Sequence, residues 1–281
     1  MATLRRMRPA LGTYVEIGIG DSVTMDSAMS AMETAFSAIA QIEALLSFHE
    51  PDSDLTQLNQ QPLQRVKLHT TSLRVLRLAR AATRASSGAF NCTVGGTLVR
   101  HGVLPDHGCT EMVDTGDHND IEIGNDWARL RRPVRITLDG IAKGYAVDAA
   151  VDALQRNGIS AGWVNAGGDL RVFGDMALPV HRRELDGGFT SLGALRQGAL
   201  ASSRGAGAPD ERHASAMVGT AGQTAAQGVW SVLANTAWRA DALTKVACFT
   251  APRQRAAAVA RLGGHLVPRV PRAPSLAMGA A

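Results

Sequence analysis

Along Tyr14-Val15-Glu16-Ile17-Gly18-Ile19, apolar residues alternate with polar or small ones, placing Val15, Ile17 and Ile19 on one face of a strand that Gly20-Asp21 ends. The period then changes. Met25, Met29, Met32, Phe36, Ile39 and Leu46 follow the three-to-four spacing of one helical face, and that stripe reads as core packing. A second helix is expected over Thr71 to Arg84, with Leu73, Leu76 and Ala79 turned inward. Val134 to Leu138 reads as a strand, and Gly144 to Asn157 as a helix stopped by Gly158. Gly162 to Asn165 and Leu170 to Phe173 flank the turn Ala166-Gly167-Gly168-Asp169, a hairpin signal. Val229 to Leu233 continues the β pattern, Asn235 is the expected cap of a helix running to about Phe249, and Gln254 to Leu262 gives a last helix. Helices and strands mixed without regular β-α-β alternation place the chain in the α+β class.

Length and composition refine this picture. At 281 residues, with 45% hydrophobic and 19% charged residues, the chain fits one large folded domain over 1–281, with 267–281 expected as a frayed tail. Gly205 to Thr224, rich in Gly, Ala and Thr, is the expected mobile loop over a site. The net charge of +4 arises from scattered arginines with no interleaved aromatics, which excludes a nucleic-acid binder and leaves a bias that favours an anionic dinucleotide. Lysine is rare, occurring only at 67, 143 and 245. No stretch approaches the roughly 18 apolar residues that span a bilayer. Arg5, Arg6 and Arg8 precede no apolar segment of the kind a signal peptide carries. Cys92, Cys109 and Cys248, odd in number and without a CxxC spacing, build no disulfide framework, so a cytoplasmic location is expected.

Two segments carry candidate chemistry. In Leu138-Asp139-Gly140-Ile141-Ala142-Lys143-Gly144-Tyr145-Ala146-Val147-Asp148 a strand end runs through glycines into a helix with one lysine at the turn. Gly140 lets the backbone approach a phosphate, amide N–H groups and the helix dipole favour the anion, and Lys143 adds a point charge. The pattern is neither GxxxxGK[ST] nor GxGxxG, so a P-loop or Rossmann enzyme is disfavoured, and a plain strand-to-helix turn with a solvated lysine remains an alternative. In Ala240-Asp241-Ala242-Leu243-Thr244-Lys245, Asp241 and Thr244 share a helical face and could reach one hard cation; the alternative is an aspartate that only meets its helix dipole. His101, His107, Cys109 and His118 could ligate zinc, although their spacing matches no standard finger.

Taken in order, Leu11-Gly12-Thr13, Ser47 to Asn59, Ser87 to Gly95, Asp139 to Asp148, Val164 to Arg171, Ala201-Ser202-Ser203 and Ala240 to Thr244 resemble the ApbE-type FAD:protein FMN transferase family. The resemblance implies a T-fold-like α+β architecture of mixed sheets flanked by helices, with FAD held in a cleft. It implies flavin and adenosine contacts at Thr13, Ser47, Phe90, Asn91, Lys143, Asn165, Ala166, Gly167, Gly168 and Ser203, and Mg2+ on the Ala142 carbonyl, Asp241 and a hydroxyl near the next turn, here Thr244. The implied reaction is magnesium-assisted phosphoryl transfer. FAD is split, its FMN half joins a Ser or Thr of an acceptor flavoprotein, and AMP leaves. Lys143 and Asp241 would act at the phosphates, and His213 stands near the family histidine that would accept the proton. Three departures from the family pattern stand out: Lys245 where many members have Thr, Phe90-Asn91 in place of Phe-Asp, and Thr137-Leu138-Asp139-Gly140 in place of Asp-Leu-Gly-Gly. Two other readings stay open, an FAD pyrophosphatase releasing FMN and AMP and a flavin-binding protein without turnover.

Overall fold

The structure, a computed structural model, describes residues 4–20, 23–108, 112–205, 217, 219–220, 223 and 225–268. Strand β1 (Leu4–Ala10) turns through Leu11 and Gly12, both at positive φ, into β2 (Thr13–Ile19). Helix α1 (Met25–Leu46) follows, its first turn capped by Thr24, whose side chain accepts from Ser27 N. Next come α2 (Asp54–Gln60), β3 (Val66–Lys67), α3 (Thr70–Ala85), α4 (Gly95–Arg100), β4 (Ile121–Ile123) and β5 (Trp127–Leu130). After α5 (Ala142–Arg156), the chain forms β6 (Gly162–Ala166), β7 (Asp169–Phe173), β8 (Leu178–Arg183), β9 (Phe189–Leu195), β10 (Gly198–Gly205) and β11 (Gly228–Ala234). It ends in α6 (Ala237–Phe249), α7 (Pro252–Arg261) and β12 (Gly264–Leu266).

Seven strands form the main sheet in the order β1-β2-β6-β7-β10-β11-β12, and each of its ladders is antiparallel. The α+β expectation is met. The two-residue period divides the sheet into two faces. Ile17, Val164, Ala166, Ala199, Ala201 and Val232 pack under α1, α5 and α6 in the main core. Trp163, Leu170, Val172 and Leu200 face the other way, under the β8–β9 hairpin and its Val180. Among the described residues, no helix is long and apolar enough to cross a membrane.

Three elements differ from the sequence reading. The first sheet strand is β1, whose inward positions carry Arg6 and Arg8. Both pair with Glu33 on α1, and the Arg8 guanidinium lies 4.5 Å from the Phe36 ring centroid, so charge stands where an apolar stripe would be expected. Residues Val134 to Leu138 are extended but join no ladder. The Asn59 side chain acts as their one-residue partner, donating to Ile136 O (2.8 Å) and accepting from Ile136 N (2.7 Å), while Gly95 N donates to Arg135 O and Thr137 N to Cys92 O. Helix α6 begins after Thr236, not Asn235, and Thr236 makes no side-chain cap. Its first N–H groups are satisfied from another helix, as described below. Met25 of the expected core stripe is exposed, at the open end of α1.

Candidate functional site

The N-termini of α5 and α6 meet over the main sheet. A side chain at Gly144 would bring its Cβ within 2.4 Å of Ala237 O, so glycine is what allows the two backbones to touch. Asp148, one turn further along α5, locks the junction. Its carboxylate accepts from Ala237 N (2.9 Å), Trp238 N (2.9 Å) and Arg171 Nη1 (2.8 Å), and so caps α6 from a neighbouring helix. Burial pushes the Asp148 carboxyl upward, against the pull of those donors. Asp148 closes the glycine–lysine block, yet its capping role was missed in the sequence because cap and capped helix are 89 residues apart.

This junction brings the bend from Gly140 to Gly144 against Asp241. Gly144 N lies 3.4 Å from Asp241 Oδ2, and Asp241 is almost fully buried. Lys245, one turn along α6, donates to Asp241 Oδ1 (2.5 Å) and to Ser203 Oγ (3.0 Å) on β10. Ser203 Oγ also lies 2.6 Å from the Thr244 hydroxyl, which donates to Asp241 O (2.7 Å). Lys143 stands half-buried at the start of α5. Burial would lower its pKa, but Asp169, Asp241 and Asp139 outweigh that and hold the ammonium charged. Asp169 is raised above the ordinary carboxylate range by burial and by Asp241, with both lysines pulling it down.

A cleft opens beside this cluster in two lobes. The larger, about 530 Å³, is lined by Phe90, Asn91, Gly140, Lys143, Ser203 and Lys245 among others; the smaller, about 360 Å³, by Ser47, Glu50, Ala142 and Lys143 with Leu11 and Glu43. Gly12, His49, Asp139 and Lys143 border both lobes, so Lys143 stands at their junction. Each lobe is within the size range of small-molecule sites. His49 and Gly12 are wall residues with no isolated signal in the sequence, although both lie in the blocks that carry the family resemblance.

The expected site residues divide accordingly. Phe90, Asn91, Gly140, Lys143, Ser203 and Ser47 line the cleft; Asp241 and Thr244 lie behind it. Phe90 forms the wall facing Gly140, and Asn91 is tied to Gly116 O and the Thr220 hydroxyl. Asn165, Gly167 and Gly168 instead line a separate cavity of about 480 Å³ on the β8–β9 side of the sheet, with Arg5, Arg182 and Arg204. Asn165 Oδ1 accepts from Gly168 N (2.9 Å) and both glycines have positive φ, so these three shape the β6–β7 turn. Ala166 is buried core, and Thr13 packs where a Gly167 side chain would stand. His213, most of the Gly205–Thr224 loop and Cys109 lie outside the described residues. His107, offered as a zinc ligand, instead meets Phe48 O at 2.7 Å. Among the described residues, no group of three or more His, Cys, Asp or Glu side chains could hold a metal ion.

Two of the three donors expected for magnesium, Asp241 and Thr244, are engaged by other groups in this chain and do not fit that ion. Mg2+ asks for six oxygens at about 2.0–2.1 Å in near-octahedral order. Here one Asp241 oxygen is spent on an ammonium, and the Thr244 hydroxyl is turned onto Ser203 and the Asp241 carbonyl. The position one turn after Asp241 supplies a positive charge in place of an oxygen.

Comparison with known proteins adds independent support. The chain is 27% identical over 184 residues to the FAD:protein FMN transferase of Vibrio cholerae serotype O1 (strain ATCC 39541 / Classical Ogawa 395 / O395), a match covering 59% of this chain and 53% of that protein. It thus spans about half the length of this curated relative. Its fold is shared with the ApbE protein of Thermotoga maritima MSB8, at TM-score 0.80 and 22% identity over 94% of this chain and 93% of that one. The same holds for the flavin transferase ApbE of Vibrio cholerae, at TM-score 0.73 and 20% identity over 92% and 90%. For the Pseudomonas stutzeri flavinyl transferase ApbE in its apo form, the TM-score is 0.76 and the identity 18% over 92% and 88%. Residues 11–266 match the model of the ApbE family, and with nearly the whole chain inside that match, the chain belongs to the ApbE family.

Proposed function

We propose that this chain cleaves FAD and joins its FMN half through a phosphoester bond to a Ser or Thr hydroxyl of an acceptor flavoprotein, releasing AMP. The observation that carries the reading is the position of Lys143, a charged ammonium at the junction of two lobes, on a glycine bend that touches Asp241. A dinucleotide has this shape, with a base for each lobe and a diphosphate between them. The relative named FAD:protein FMN transferase supports the same chemistry.

The chain's own groups account for the binding. The positive end of the α5 dipole lies at this bend and favours an anion there, although the Ile141 and Ala142 N–H groups donate to Leu138 O and Gly144 N points at Asp241. Lys143 and Lys245 add charge from two sides of the larger lobe. The acceptor oxygen bonds to the phosphorus that bears riboflavin as the bridging oxygen leaves with its electron pair on AMP; the hydroxyl proton is released. Holding the reactants in line and neutralising charge supply the acceleration. Magnesium, which the family resemblance implies, has no step here because Asp241 and Thr244, its expected side-chain donors, are otherwise engaged.

The test is to incubate the chain with FAD and an acceptor flavoprotein fragment carrying a Thr site, then measure protein mass and free AMP. An FMN-sized gain on the acceptor together with AMP is expected. AMP with an unmodified acceptor would indicate hydrolysis, and intact FAD with no AMP would reject the transferase reading.

A further inference from the structure

We propose that Lys245 is a built-in cation standing in for a divalent metal, so that this chain holds the FAD diphosphate without magnesium; the idea rests on the cleft being an FAD site. The lysine ammonium has three donors. Two are spent, on Asp241 Oδ1 (2.5 Å) and Ser203 Oγ (3.0 Å). Lys245 borders the larger lobe, with 18% of its side chain exposed, which leaves its third N–H for a phosphate oxygen there.

The stem explains the placement. A Cβ at Gly140 would lie 3.3 Å from Lys245 Cε and 3.6 Å from its Cδ, so the lysine runs across the glycine bend and delivers its charge between that bend and α6. Gly140 therefore leaves room for a side chain as well as for a ligand. Thr244 donates to the Asp241 backbone carbonyl and meets Ser203 Oγ, so the hydroxyl that accepts from the ammonium is itself held in place.

Electrostatics lead to the same assignment. Asp241 is buried, and without a positive partner its charge would be uncompensated, at substantial cost. In this chain the partner is covalently attached one helical turn away. A magnesium ion entering here would have to displace the ammonium from Asp241 and then sit beside both Lys245 and Lys143. The like charges would repel, and Asp241, the carboxylate expected to receive the ion, is already paired with an ammonium.

Two measurements decide the matter. The first is Mn2+ titration of the wild-type chain, followed by electron paramagnetic resonance, with and without FAD. No stoichiometric Mn2+ binding is expected, whereas Lys245→Thr, which restores an oxygen and removes the charge, should gain about one Mn2+ per chain. The second is FAD binding by flavin fluorescence in EDTA and in Mg2+. Wild type should agree within about twofold, while Lys245→Thr should weaken about tenfold in EDTA and recover with Mg2+. One bound Mn2+ in wild type, or a loss of about tenfold in FAD affinity on chelation, overturns the proposal. If FAD binds under neither condition, the flavin reading fails by itself. The Mn2+ titration, which needs no FAD, still decides the role of Lys245, and because wild type is measured directly, misfolding of the variant leaves that decision intact.

Discussion

Gly144→Ala tests how much of the cleft depends on a single hydrogen-sized gap. In an isolated helix the change would be favourable, since alanine exceeds glycine in helix propensity by about 1 kcal/mol. Here the new methyl would lie 2.4 Å from Ala237 O, 2.6 Å from Ala237 C and 2.7 Å from Trp238 Cα, all of them backbone atoms with no rotamer to yield. Relief to an ordinary contact needs about 1 Å of separation between the first turns of α5 and α6. Overpacking of this kind costs about 1–3 kcal/mol, so after the propensity gain the net loss is about 0–2 kcal/mol, a fall in Tm of at most a few degrees. The functional loss should be far greater, because the same 1 Å moves Lys143 away from Asp241 and Lys245, and a misplacement of that size costs about 100-fold in a positioned reaction. Thermal unfolding by circular dichroism, FAD titration by fluorescence and AMP release on the same preparation read out all three quantities. A Gly144→Ala protein with wild-type FAD affinity and AMP release would refute the argument that this close approach builds the site.

The remaining predictions concern groups whose partners are known. Asp148→Ala strips the first turn of α6 of its acceptors and leaves Arg171 without its closest carboxylate, so it should cost about 3 kcal/mol in urea unfolding; a change under about 0.5 kcal/mol would remove Asp148 as the cap. Asp120 accepts from Arg132 Nε (2.7 Å) and Nη2 (2.6 Å), and this pairing holds its pKa below the ordinary carboxylate value, against burial. A depressed folded pKa means the stabilisation is complete above the unfolded value, near 4, and is lost as pH falls through the lower folded one. Asp120→Asn should therefore lower the urea midpoint at neutral pH, with the gap from wild type closing below about pH 4; a gap that persists in acid contradicts this. Burial pushes the thiols of Cys92 to about 11 and Cys248 to about 12, so iodoacetamide in mildly alkaline buffer should label both only after denaturant is added. Peptide mapping that finds either one alkylated in the native protein refutes that expectation.

Elements governed by one period were legible in the sequence. Helices α1 and α5, the stop at Gly158 with its positive φ, and the β6–β7 hairpin all follow from local patterns that the tertiary structure reinforces. Strand β1 was hidden because its inward face is satisfied by Glu33 and Phe36, groups far along the chain. The extended run at 134–138 reads as a strand from its residues, yet the side chain of Asn59 supplies the pairing a neighbouring strand would give. At the cleft, the bend with Lys143 and the Asp241 segment stand out by their own residue chemistry, whereas Phe90 and Ser203 are singled out only through the family resemblance. What the sequence left open was the direction Lys245 takes, which follows from the room Gly140 leaves, and the siting of Asn165, Gly167 and Gly168 at the other cavity.

Among the described residues the seven-stranded sheet ends on β1 and β12, and each is a poor template for a foreign strand. On one side β1 carries the exposed Arg5 and Pro9, and the proline has no N–H to offer an incoming backbone. On the other, β12 is three residues long, too short to template a stable addition. An unpaired sheet border invites pairing between chains, and these two borders, one interrupted by proline and the other short, disfavour it.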